Sequence, residues 1–137
     1  MTGMQLDALR AAVEWLSGVR LAVLFGSRAR GAGRSGSDVD VGILLSPASR
    51  DAWARAEVAL RRAAGRPVDV IDLAEAPPLL RFEIARDGQL IIERDPGLWP
   101  DFKARAMIDW WDWAPTARKI HAVAAARVRE RAGHGSP

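Results

Sequence analysis

The 137-residue chain contains no cysteine and no tyrosine. Without cysteine there can be no disulfide framework, no thiolate metal site and no thiol nucleophile, which suits a reducing compartment. Histidine is limited to His121 and His134, both in the C-terminal region, so a hydrolytic triad is not expected. No apolar run approaches the roughly 20 residues of a membrane helix. The start, MTGMQLDALR, has neither the basic opening nor the apolar stretch of a signal peptide. A cytoplasmic location without a membrane partner is therefore expected. Internal repeats and long linkers are also missing, and a chain of this length can bury roughly two thirds of its unfolded surface as one domain.

Charge is present in both signs. Twenty basic residues against seventeen acidic ones give a formal charge of +3 and a pI near 10.5. Most basic residues are Arg and alanine is abundant, the pattern of a GC-rich coding bias, so nucleic acid is not expected as a direct substrate. The tail ARKIHAVAAARVRERAGHG sets Arg118, Lys119, Arg127, Arg129 and Arg131 against Glu130. That basic helix suits either an acidic partner or a solvated face.

Turn residues divide the chain into alternating elements. Leu6, Leu9, Val13 and Leu16 recur at helical spacing with Gly18 placed to cap them. VRLAVLF, residues 19 to 25, reads as a buried strand, and residues 38 to 45 form a second. An amphipathic helix follows from about Ser49 to Ala64 and ends at Gly65. PVDVIDL, residues 67 to 73, is a third strand, a helix from about Pro78 to Asp87 closes at Gly88, and QLIIE is a fourth strand. The remainder from Gly97 is helical, with an interruption expected near Pro115 and fraying after Gly133. The expectation is an α/β (α+β) fold: a mixed sheet of about four strands flanked by helices. Residues 1–96 form its core, 97–133 a helical extension and 134–137 a disordered tail.

Two motifs compete within GSRARGAGRSGSDVDVGILL. The glycines of GAGRSG mimic a dinucleotide-binding turn, but only Ser37 separates Gly36 from the next strand, leaving no helix on which a pyrophosphate would rest. No Gly-Lys-Ser/Thr follows Gly26, which excludes a Walker loop. The other motif is Gly26-Ser27 followed by Asp38-Val39-Asp40. Strand alternation puts Asp38, Asp40 and Gly42 on one face and Val39, Val41, Ile43 and Leu45 on the other. Gly42 is expected to leave space for a ligand. Aspartate is disfavoured in strands, and two on one face repel unless a cation lies between them. Hard carboxylate oxygens suit magnesium.

Asp69 is the preferred third carboxylate, brought beside Asp40 by an adjacent strand, with Asp72 as its rival on the opposite face. Three converging carboxylates can hold two metal ions about 3.5 to 4 Å apart, an arrangement suited to in-line displacement at phosphorus. Ser27 is placed to cap the turn SRAR, whose free N–H groups would meet an anion, and Gly26 permits close backbone approach. Arg28 and Arg30 are candidates to add charge to bound phosphates.

Gly26-Ser27, ten intervening residues and Asp38-Val39-Asp40 resemble the signature of the minimal nucleotidyltransferases of the DNA polymerase beta superfamily, in particular the MntA-type antitoxins paired with HEPN ribonuclease toxins. The likeness runs from about Val19 to Ile92 and includes VDVIDL and PPLLRFEIARDGQLIIERD. The resemblance implies a nucleotidyltransferase fold and magnesium-dependent transfer of AMP from ATP to a tyrosine of the HEPN toxin, which silences it. By position, Asp38, Asp40 and Asp69 would ligate two Mg²⁺ ions, with Asp69 assisting deprotonation of the attacking hydroxyl. Gly26 and Ser27 would hold the triphosphate. Because this chain has no tyrosine, the accepting tyrosine would belong to another molecule.

Two alternatives stand beside this reading: a small-molecule, aminoglycoside-type nucleotidyltransferase, and a non-catalytic antitoxin acting by binding alone. Only about forty residues follow the core, which favours a protein acceptor over a drug needing a second domain. WWDWAP, from Trp110, is expected either to pack the last helix on the sheet or to leave at least one tryptophan exposed for a partner.

Overall fold

A computed structural model describes residues 3–26 and 39–134. In order these form α1 (Gly3–Glu14), β1 (Val19–Phe25), β2 (Val39–Leu45), α2 (Arg50–Ala64), β3 (Val68–Asp72), α3 (Pro78–Asp87), β4 (Gln89–Glu93) and α4 (Leu98–His134). The strands make one mixed sheet in the order β3-β2-β1-β4. β1 is antiparallel to both neighbours, while β2 and β3 run parallel. The parallel pair requires a crossover, which α2 supplies.

Helices cover both faces. Leu9 and Val13 of α1, with Ala56 and Leu60 of α2, pack on Ala22, Leu24, Val39, Val41 and Ile43. On the other face Ile84 and Ala85 of α3, with Phe102 and Ala106 of α4, pack on Leu21, Val23 and Phe25. Burial from both sides explains why β1 reads as a nearly continuous apolar run rather than an alternation. Its exception, Arg20, lies where the register slips: Val19 pairs with Leu45, but Leu21 pairs with Leu44. That extra residue lets Val19 face one layer and Leu21 the other.

Local chemistry sets the helix ends. The Ser49 hydroxyl accepts from Ala52 N at 3.1 Å and starts α2, and Gly65, at φ +69°, ends it with its N–H on Arg61 O. Gly18, in contrast, does not cap α1, which stops at Glu14. Carbonyls at and just beyond its end, two of which also accept from the backbone of the following turn, are bonded from across the fold. Arg94 donates to Val13 O at 3.0 Å, to Glu14 O at 2.7 Å and to Leu16 O at 3.3 Å, and its Nε donates to Val19 O at 3.0 Å.

The expected break at Pro115 does not occur, because α4 runs through it. The ring removes one N–H, and the carbonyl it would have served belongs to Trp111, which is exposed and can bond to water. Among the described residues, no helix is long and apolar enough to cross a membrane.

Candidate functional site

One end of the sheet gathers the chemically active side chains. Asp40 on β2 lies in register with Asp69 on parallel β3 and with Phe25 on β1. Its neighbours Val39 and Val41 face the α1/α2 layer, so Asp40 faces the opposite side. Val68 and Val70 flank Asp69 in the same way. The two carboxylates therefore share a face on strands spaced about 4.8 Å apart. Asp40 is half-buried and Asp69 is exposed.

Gly26 closes the end of β1 at φ +81°, and a Cβ placed there would land on the Asp40 carboxylate. The carboxylate thus packs directly against the Gly26 backbone. Asp72 is held elsewhere, since its Oδ1 accepts from Ala74 N at 2.9 Å in the turn after β3. Asp38, Ser27, Arg28 and Arg30 lie outside the described residues. No group of three or more His, Asp or Glu side chains suited to a metal occurs among the described residues, a set that leaves out Asp38. Asp40 and Asp69, two hard anionic donors on one face, fit the requirements of a magnesium ion.

The space expected at Gly42 is filled by protein. A Cβ at Gly42 would strike the side chain of Leu73, which is buried in the α3/α4 layer. Any ligand must therefore sit nearer the strand ends, beside Gly26 and Asp40.

A cavity of about 120 Å³ lies there, lined by Phe25, Gly26, Glu83, Arg86 and Asp87. Glu83 and Arg86 come from α3, and sequence reasoning did not single them out. Their spacing of three puts them on one helix face, but nothing in the sequence says that this face meets the end of β1. Arg86 donates to Asp87 from Nη2 at 2.8 Å and from Nε at 3.1 Å, and it lies over the Phe82 ring. Its pKa is raised, first by that hydrogen bond and then by Coulombic attraction to Asp87. The guanidinium remains a fixed cation at the cavity wall.

An α/β sheet end carrying a glycine turn and paired carboxylates is the architecture of a nucleotide-handling transferase. The family model described as "Polymerase beta, Nucleotidyltransferase" matches residues 9–97, and the chain belongs to that family. No curated protein matches. Several solved structures share the fold. A chain of a toxin–antitoxin complex with AMP-PNP is 21% identical with a TM-score of 0.68, over 83% of this chain and 97% of that one. A chain of the MntA–HepT toxin–antitoxin complex is 18% identical with a TM-score of 0.68, over 89% and 98%. A chain from a complex of tri-AMPylated Shewanella oneidensis HEPN toxin with MNT antitoxin is 18% identical with a TM-score of 0.64, over 86% and 98%.

Proposed function

We propose that this protein is an antitoxin that transfers AMP from ATP to a tyrosine hydroxyl of a HEPN-type toxin and thereby neutralises it. The observation that carries this reading is the register of Asp40 and Asp69 on one face, with Gly26 against Asp40. It is supported by chains of the same fold that occur in complex with AMP-PNP and with an AMPylated HEPN toxin. Asp38, Asp40 and Asp69 would hold Mg²⁺. When bound, the metal neutralises phosphate charge and lowers the pKa of the attacking oxygen.

The chain's own residues do the rest. Gly26 and Ser27 would hold the triphosphate, with Arg28 and Arg30 adding charge. Asp69 accepts the proton of the incoming tyrosine hydroxyl. The hydroxyl oxygen bonds to the α-phosphorus, the bond to the bridging oxygen breaks, and pyrophosphate leaves. Arg86 would place a cation at the wall of the cavity beside the phosphates.

Labelling of a HEPN toxin with α-labelled ATP tests this. Asp69→Asn should cut transfer by roughly 10²–10⁴ if it takes the proton, and Asp40→Asn should abolish it, with circular dichroism unchanged for both. Wild-type rates in either variant would overturn the assignment. Toxin neutralisation that survives Asp40→Asn would mean that binding alone suffices.

A further inference from the structure

We propose that the hollow at the C-terminal end of α2 is an exosite for a carboxylate-rich segment of the protein acceptor, an inference that rests on the transferase reading of the Asp40–Asp69 end. The hollow has a volume of about 550 Å³ and is lined by Val58, Arg61, Arg62, Gly65, Arg66 and Pro67. Half of that lining is arginine and none of it is acidic. Arg61 reaches Glu57 at 3.3 Å. Among the described residues Arg62 and Arg66 have no ion pair.

A helix C-terminus attracts cations, which accounts for Arg61 and Arg62 in the last turn of α2. It does not account for Arg66, which lies beyond the helix. Nη1 of Arg66 is shut off from solvent and has no hydrogen-bond partner among the described residues. A buried charged donor left unsatisfied is costly, and a turn of the guanidinium toward an anion in the hollow would remove that cost.

The position of the hollow selects the occupant. Pro67 O accepts from Val39 N at 3.1 Å, so Arg66 lies at the sheet end from which Asp40 and Asp69 project. Val68 faces the α2 layer and Asp69 the opposite side. The hollow lies on the outer side of α2, beyond one face of edge strand β3, and Asp69 lies on the other face. A ligand filling the hollow while presenting a group to Asp69 must pass around that edge, which a chain can do and a small molecule cannot. The Gly26 turn lies at the end of β1, on the far side of β2, which separates the hollow from the nucleotide phosphates. No aromatic ring lines it among the described residues, so nucleic-acid bases lack the aromatic platform on which they stack best. Arginine forks pair with carboxylates, and the exposed Val58 and the ring of Pro67 suit the apolar parts of a peptide.

Fluorescence anisotropy with a labelled octaglutamate peptide tests the exosite on the full chain. Wild type should bind it, and Arg62→Glu/Arg66→Glu should weaken binding by roughly ten- to a hundredfold. Arg66→Met, which removes the unpaired donor while keeping the stem, should weaken binding without lowering Tm. Arg50→Glu/Arg55→Glu, elsewhere on α2, should leave affinity within about twofold of wild type, and ATP·Mg affinity should be unchanged in each of these arginine variants. Asp40→Asn should retain peptide binding, so loss of transfer there and loss of the exosite are separate results. Absence of peptide binding, equal weakening by the Arg50/Arg55 pair, tighter binding of octauridylate RNA, or loss of ATP affinity in the Arg62/Arg66 variants would each overturn the proposal.

Discussion

Gly26 meets two demands that no other residue type meets together. Its φ of +81° is costly for any L side chain, and its missing Cβ is where the Asp40 carboxylate sits. Gly97 separates these demands: its φ is +95°, yet an added Cβ would meet nothing within 4 Å. Alanine at either position should cost about 1–2 kcal/mol of stability, lowering Tm by on the order of 5 °C in calorimetry. Only Gly26→Ala should also push the Asp40 carboxylate aside, weakening ATP·Mg binding in titration calorimetry by roughly tenfold or more. Equal nucleotide affinity in the two variants would reduce the Gly26–Asp40 contact to packing. Asp69 and Asp72 form a second contrast. Asp72→Asn keeps an acceptor oxygen for Ala74 N and should leave both folding and transfer intact, whereas Asp69→Asn should lower transfer alone.

The elements show which parts of this structure a sequence can express. β1 was legible as residues 19 to 25 because a strand buried on both faces needs an unbroken apolar run. α2 was legible because Ser49 and Gly65 carry their instructions locally. Period-two alternation set Asp40 and Asp69 each on the face opposite their valine neighbours, and the parallel register then pairs them. What was not legible arises at long range. Leu73 fills the space over Gly42, and the Glu83–Arg86 face of α3 meets the end of β1. The end of α1 depends on Arg94, some eighty residues away, rather than on Gly18. Arg94→Met should therefore leave Glu14 O without its donor and take the second donor from Val13 O and Leu16 O, which keep Leu16 N and Val19 N, destabilising the fold by about 1–2 kcal/mol in urea titration. Arg94→Lys, a point charge without the fork, should recover only part of that. A loss below about 0.5 kcal/mol for Arg94→Met would mean that water replaces the guanidinium freely.

Across the whole molecule, the sheet is sealed by a helical layer on each face, yet aromatic surface remains outside it. Trp110 stacks on Phe82 of α3 with centroids 5.2 Å apart and joins α4 to the body, while Trp111 is 74% exposed. Trp110→Ala should cost about 2–3 kcal/mol, short of the full-burial figure because the ring is only half-covered. Trp111→Ser should stay within about 0.5 kcal/mol in the same urea titration. The distribution of chemistry argues outward in the same way. The site end has carboxylates, a glycine turn and a cationic wall, but the chain carries no tyrosine to accept a nucleotide. Incubated alone with ATP and magnesium, the protein should show no adenylyl addition by intact-mass spectrometry. When a HEPN toxin is added, the addition should appear on the toxin, at tyrosine, and at no residue of this chain. Adenylylation of a serine or threonine on the isolated protein would show that the reactive end acts on its own chain, and the acceptor assignment would fail.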